Sequence, residues 1–237
     1  MYRLRSLLLD CLFYTLFPVY MLLLMPFSVL MTRDNVEDYV FRPWVTFFAS
    51  LMRFILGLTY TIEGYEVWAK ASAGGPCIIA CKHQSLWETF MLPIFFKHFV
   101  IVLKKELISV PLFGYYLSRL GSIPLDRSQG LTAIKKLIRL GKAASAQGLH
   151  IFIFPEGTRS APGEQPPLNP GIAALYDTLK LPVVPVALNS GIFWGRRRFF
   201  KKPGTITVKF LPAIEPGLDK TTFLETLHRA MNTPLDN

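Results

Sequence analysis

Pro76-Cys77-Ile78-Ile79-Ala80-Cys81-Lys82-His83-Gln84-Ser85-Leu86-Trp87-Glu88 is the stretch around which the chain is organised. Its first six residues form an apolar run bounded by Gly74-Gly75, which predicts a strand buried on both faces. A histidine follows, and then a carboxylate five positions after it. A histidine with an orienting acid can take a proton from a hydroxyl near neutral pH. Ser85-Leu86-Trp87-Glu88 also fits a capping box, in which Ser85 caps a helix and Glu88 folds back to the cap's amide. The two readings are compatible, because a carboxylate folded over the first turn points toward the side on which His83 sits. His83 alone would be a satisfied core histidine. Its place between a buried strand and a capped helix is where α/β sheets present reactive groups, so a catalytic role is expected.

Outward from this stretch, further strands are expected at 99–103, 122–125, 150–154, 183–188 and 205–211, most of them continuous apolar runs. Leu131, Ile134, Leu137 and Ile138 recur at helical spacing, with Lys135, Lys136, Arg139 and Lys142 opposite and Gly148 as a stop. Strands alternating with helices predict an α/β layered sheet.

Upstream, no charged residue occurs from Cys11 to Met31, a span of about 20 residues that suffices to cross a hydrocarbon core. Pro18 and Pro26 are expected to kink it. A second apolar stretch, Trp44 to Tyr60, carries Arg53 and reads as interfacial or packed on the first. The pair predicts a membrane-associated helical hairpin over 1–60, followed by one α/β domain over 61–237. Two ordinary core helices are the competing reading. A signal peptide fits less well, since the run is long and no small-residue cleavage pattern follows.

Composition agrees. Of 237 residues, 51% are hydrophobic and 19 are Phe, more apolar than an ordinary soluble domain, so a membrane or lipid pocket is expected. The formal charge of +10 favours acidic partners such as phospholipid headgroups or substrate phosphates. Nucleic acid is not expected, because no recognition-helix or zinc-finger pattern accompanies the charge. Cys11, Cys77 and Cys81 lack a second Cys/His cluster, so reduced thiols are expected and no metal site. Arg196-Arg197-Arg198 with Phe199, Phe200, Lys201 and Lys202 reads either as a headgroup-contacting loop or as a solvated basic turn.

Downstream, Phe152-Ile153-Phe154-Pro155-Glu156-Gly157-Thr158-Arg159-Ser160 runs a strand into a turn that presents a carboxylate, a hydroxyl and a guanidinium. By itself this is a surface turn. Together with His83-x-x-x-x-Glu88 it resembles the lysophosphatidic acid acyltransferases, the 1-acylglycerol-3-phosphate O-acyltransferase family. Lys104-Lys105-Glu106-Leu107, with Pro111, Gly114 and 121–127, is similar to the family's second block, and 181–187 to its fourth. The chain departs from the family in two places. Glu88 stands where Asp is usual, and Asn169-Pro170-Gly171 stands where a lysine often precedes the glycine.

The resemblance implies a glycerolipid acyltransferase-like fold, a mixed and largely parallel sheet flanked by helices, with the hairpin seating it in a membrane. It implies acyl transfer from acyl-CoA or an acyl-acyl-carrier protein to the sn-2 hydroxyl of 1-acylglycerol 3-phosphate, with no cofactor and no acyl-enzyme. His83 would be the general base and Glu88 its orienting partner. Lys105, Arg127 and Arg159 would bind the acceptor phosphate, while Glu156, Gly157, Thr158 and Pro185 would shape the substrate site. Its place would be a bacterial inner membrane with the site toward the cytoplasm. Another lysolipid acceptor, and an inactive lipid-binding protein, are the alternatives.

Overall fold

The computed structural model describes residues 1–235. Helix α1 (Tyr2–Ser28) is followed by a second helix, α2 (33–56), interrupted by π-helical turns at Glu37–Phe41 and Met52–Leu56. Seven strands follow: β1 (Leu58–Glu63), β2 (Ile78–Cys81), β3 (Phe99–Lys104), β4 (Ile123–Leu125), β5 (His150–Ile153), β6 (Val183–Leu188) and β7 (Gly204–Phe210). They form one sheet in the order β1-β7-β6-β2-β5-β3-β4. All pairings are parallel except β6 with β7. This is the mixed, largely parallel α/β sheet that was expected.

The central strands β2, β5 and β6 are buried throughout because both faces of the sheet are covered. Ile78 and Ala80 point into one apolar layer, with Leu137, Ile172, Leu175, Phe223 and Leu227. That layer is closed by α6 (Leu131–Ala146), α7 (Pro170–Leu179) and α9 (Lys220–Met231). Ile79 and Cys81 point into the other layer, which includes Leu9 and Met21 of α1 and Val36, Trp44 and Phe48 of α2. Alternation along a single strand therefore divides the core in two. Shorter helices α3 (Tyr65–Ala73), α4 (Trp87–Met91), α5 (Phe113–Arg119) and α8 (Ser190–Phe193) complete the connections.

All six expected strands are present, and β1 is an addition. The second apolar stretch is helical only as far as Leu56. Gly57 then adopts a left-handed conformation (φ 72°) and ends the helix. Leu58-Thr59-Tyr60-Thr61-Ile62-Glu63 alternates as a strand should, but in the sequence that alternation is hidden behind the preceding apolar run. Pro18 and Pro26 both fall inside α1. By length and composition α1 is sufficient to cross a bilayer, and Leu4, Leu8, Tyr14, Leu23 and Phe27 along it are exposed.

Candidate active site

The carboxyl ends of β2, β5 and β6 meet at one pole of the sheet, so the turns that leave them are forced together. The chain after Cys81 keeps one further ladder bond, from the Lys82 N–H to the Val186 carbonyl (2.9 Å), and then turns away through His83 into α4. The expected capping box forms only in part: the helix begins one residue later than expected, with Leu86 at the N-cap position and no side-chain cap on it, but the fold-back of Glu88 is present. Ser85 Oγ accepts from the Trp87 N–H (2.9 Å), and Glu88 Oε1 accepts from the Ser85 N–H (2.6 Å).

The same Oε1 accepts from the Gln84 N–H (2.6 Å) and lies 2.9 Å from His83 Nδ1. Oε2 accepts from the hydroxyls of Ser85 (2.6 Å) and Ser190 (2.8 Å). Glu88 thus serves both the helix and the histidine. Its side chain reaches the imidazole while still accepting from the Ser85 amide.

Glu88 is completely buried. Burial pushes its pKa up, but hydrogen bonding to His83, the charge of that imidazole and the bonds from Ser85 together hold it below the ordinary value. An ionised carboxylate only accepts, so Nδ1 carries a proton toward Glu88, and in the neutral form of the ring Nε2 is the nitrogen left with a lone pair. The ring is fixed from the side by Phe154, stacked at 4.0 Å and 20°.

The second turn holds His83 by its backbone. Glu156 Oε2 accepts from the His83 N–H (2.9 Å), and the Ser160 N–H donates to the His83 carbonyl (2.9 Å). Burial raises the Glu156 pKa to about 7, against the opposing effects of the His83 amide and the Lys82 charge. Gly157 takes φ 73°, and a Cβ there would lie 3.6 Å from Arg127 Nη1 and 3.8 Å from Asn169 Nδ2. Glycine therefore suits the left-handed turn, while a Cβ would meet those two side chains only at ordinary contact distance.

Beside His83 lies a cavity of about 250 Å³. Its walls are apolar: Phe41 of α2, Phe90 of α4, Ile101 and Leu103 of β3, and Phe113 and Leu117 of α5. Its polar lining includes His83, Lys104, Arg127, Gly157, Thr158 and Arg159.

The expected site residues divide accordingly. His83, Arg127, Gly157, Thr158 and Arg159 line the cavity, and Glu88 supports His83 from behind. Glu156 braces the His83 backbone and is not part of the lining. Lys105 faces elsewhere, with Nζ 3.7 Å from Asp126 Oδ2, while its neighbour Lys104 lines the cavity. Pro185 is buried in mid-sheet opposite Ala80. Asn169 caps α7, accepting from the Gly171 N–H (3.0 Å) with Pro170 at the first helical position. Cys81 lies close by but is fully buried, and burial plus the charges of Glu88 and Glu156 push its thiol pKa well above the usual range. It is no nucleophile.

Three contributors were not anticipated. Ser190 completes the shell around Glu88, Gln84 Oε1 accepts from the Gly191 N–H (3.1 Å), and Phe154 stacks on the imidazole. The available signal was Asn189-Ser190-Gly191, a small polar run directly after a buried strand.

A sequence model of the family described as Acyltransferase matches residues 60–189, which span both turns. The 1-acyl-sn-glycerol-3-phosphate acyltransferase of Pseudomonas aeruginosa is 40% identical over 176 residues, covering 74% of this chain and 67% of the relative. The protein of that name from Cocos nucifera is 32% identical over 167 residues, 70% of this chain and 53% of the relative. A human relative, 1-acyl-sn-glycerol-3-phosphate acyltransferase beta, is 28% identical over 205 residues, 84% and 72% of the two chains. The crystal structure of a 1-acyl-sn-glycerophosphate (LPA) acyltransferase from Thermotoga maritima superposes with a TM-score of 0.75 over the full length of both chains. At 21% identity that likeness speaks to the fold. With the family's sequence pattern running from the sheet edge through both turns that hold His83, the chain belongs to the acyltransferase family.

Proposed function

We propose that this acyltransferase moves an acyl chain from a thioester of coenzyme A or an acyl-carrier protein to the sn-2 hydroxyl of 1-acylglycerol 3-phosphate, giving phosphatidic acid. The observation that carries the reading is the His83–Glu88 pair at the mouth of an apolar cavity with Arg127 and Arg159 in its lining. His83 Nε2 takes the proton of the acceptor hydroxyl while that oxygen attacks the thioester carbonyl. The tetrahedral intermediate collapses with loss of the thiolate, which recovers the proton from the imidazolium. Glu88 fixes the ring and stabilises the imidazolium. No side chain is acylated, consistent with the burial of Cys81.

Arg127 and Arg159 bind the acceptor phosphate through charge-assisted hydrogen bonds. The apolar walls receive an acyl chain. The exposed apolar residues of α1 support seating residues 1–60 in a membrane, here proposed as a bacterial inner membrane with the site toward the cytoplasm. Asn169, spent on capping α7, supplies no cation and favours a second reading in which the acceptor is another lysolipid.

The test incubates purified protein in detergent micelles with a panel of lysolipids and both donor types, identifying products by mass. Phosphatidic acid should be the main product, and His83→Ala should cut its formation by about four orders of magnitude. Full turnover by His83→Ala would rule out the base. Preference for a headgroup-bearing acceptor would favour the second reading.

A further inference from the structure

The segment Gly195-Arg196-Arg197-Arg198-Phe199-Phe200-Lys201-Lys202 forms a strap fastened on two sides. The Lys202 N–H donates to the Phe193 carbonyl (2.8 Å), closing the loop. Toward α1, the Lys201 N–H donates to Ser6 Oγ (2.9 Å), and its ammonium pairs with Asp10 while lying 4.6 Å from the centre of the Trp194 ring. Lys201 is only 5% exposed, so this cation belongs to the fastening. Arg3 sits 5.4 Å from the centre of the Phe200 ring. Toward the active site, Arg196 Nη1 donates to the Arg159 carbonyl (2.9 Å).

What the fastening leaves over is a cationic and aromatic surface. Arg197, Arg198 and Lys202 are exposed, and no carboxylate pairs with them among the described residues. Phe199 is 68% exposed. Beside the strap, the first turns of α1 expose Arg3 and Arg5 together with Leu4 and Leu8. The acid of α1 nearest the strap, Asp10, is already taken by Lys201. Guanidinium groups interleaved with exposed aromatic and aliphatic side chains, at the end of a long apolar helix, match the headgroup layer of a bilayer. There cations meet lipid phosphates while the apolar groups enter the acyl boundary.

We propose that the strap and the start of α1 form a docking surface for anionic phospholipid headgroups, and that docking steadies Arg159 through Arg196. The docking itself is independent of the reaction, while the effect on Arg159 rests on its role as an acceptor-binding group. A surface for the acidic acyl-carrier protein would need the cations alone. The exposed Phe199 and its continuity with Leu4 and Leu8 favour lipid.

The experiment measures co-sedimentation of the full chain with vesicles of phosphatidylcholine alone and of equal parts phosphatidylcholine and phosphatidylglycerol. The double variant Arg197→Glu, Arg198→Glu should lose about tenfold or more in partitioning to the anionic vesicles and change little on the zwitterionic ones. High salt should erase the difference between wild type and variant. Its transfer activity in detergent micelles should stay within about twofold of wild type, since neither side chain touches the cavity. Phe199→Ser should weaken binding to both vesicle types. Arg196→Ala should keep vesicle binding and raise the acceptor KM. Unchanged anionic binding by the double variant would overturn the proposal. So would a higher KM for the acyl-carrier-protein donor with vesicle binding intact, which would assign the surface to that protein. If wild type makes no phosphatidic acid in micelles, the proposed reaction fails while the vesicle comparison still decides the docking.

Discussion

Two glutamates touch the same histidine, and the fold treats them in opposite ways. Glu88 is the more deeply buried, yet against that burial its pKa is held low by hydrogen bonding to His83, the charge of that ring and the bonds from Ser85, while Gln84 and Ser190 also donate to its oxygens. Glu156 is less buried, receives the His83 amide and a long bond from Ser160 (3.3 Å), and is pushed up to about 7. Depth alone does not decide whether a carboxylate keeps its charge. The number of donors aimed at it does. Glu88 is an ionised partner for the imidazole, whereas Glu156 is a brace for the backbone that carries it.

The comparison can be sharpened by mutation, beginning at the rim. Arg159→Ala should raise KM for lysophosphatidic acid by roughly 10- to 100-fold, the worth of a charge-assisted bond. It should raise KM far less for a headgroup-bearing analogue. Equal losses, measured by initial rates, would remove Arg159 from phosphate binding. Ser190→Ala deletes one donor to Glu88 and should cost about 1.5–3 kcal/mol of stability, read as a lower denaturant midpoint, with a modest fall in kcat.

The smallest effect is expected on the other carboxylate. Because the folded-state pKa of Glu156 is raised, its favourable contribution is present below its ordinary value of 4.5 and is lost as pH rises through about 7. Glu156→Gln, neutral throughout, should therefore gain on wild type in melting temperature as pH rises across that window. A constant difference across the window would mean that Glu156 is already ionised in the fold.

The sequence disclosed what is local. A buried apolar run, a capping box and a histidine five residues from an acid all lie within thirteen residues. That was enough for β2, for the first turn of α4 and for the His83–Glu88 pair. The six expected strands were legible because a doubly covered strand leaves an unbroken apolar run. What was not legible depends on contacts between distant segments or on side-chain direction. Ser190 reaches Glu88 only because β6 lies beside β2. Lys104 and Lys105 are adjacent in sequence, yet only Lys104 lines the cavity, since β3 ends at Lys104 and the chain turns into a 3-10 helix at Lys105. Asn169 looked like a missing cation and is a helix cap. The strap was readable as basic and aromatic, but its ties to Ser6, Asp10 and Arg159 were not.

The most direct measurement changes both glutamates in the same way and compares their rates of phosphatidic acid formation at saturating substrate. Glu88→Gln should lower kcat by about 10³-fold or more, because the imidazole loses its ionised partner and its fixed tautomer. Glu156→Gln, which keeps an acceptor for the His83 amide, should stay within about tenfold of wild type. Equal losses in the two variants, or a larger loss for Glu156→Gln, would contradict the assignment of the ionised partner to Glu88.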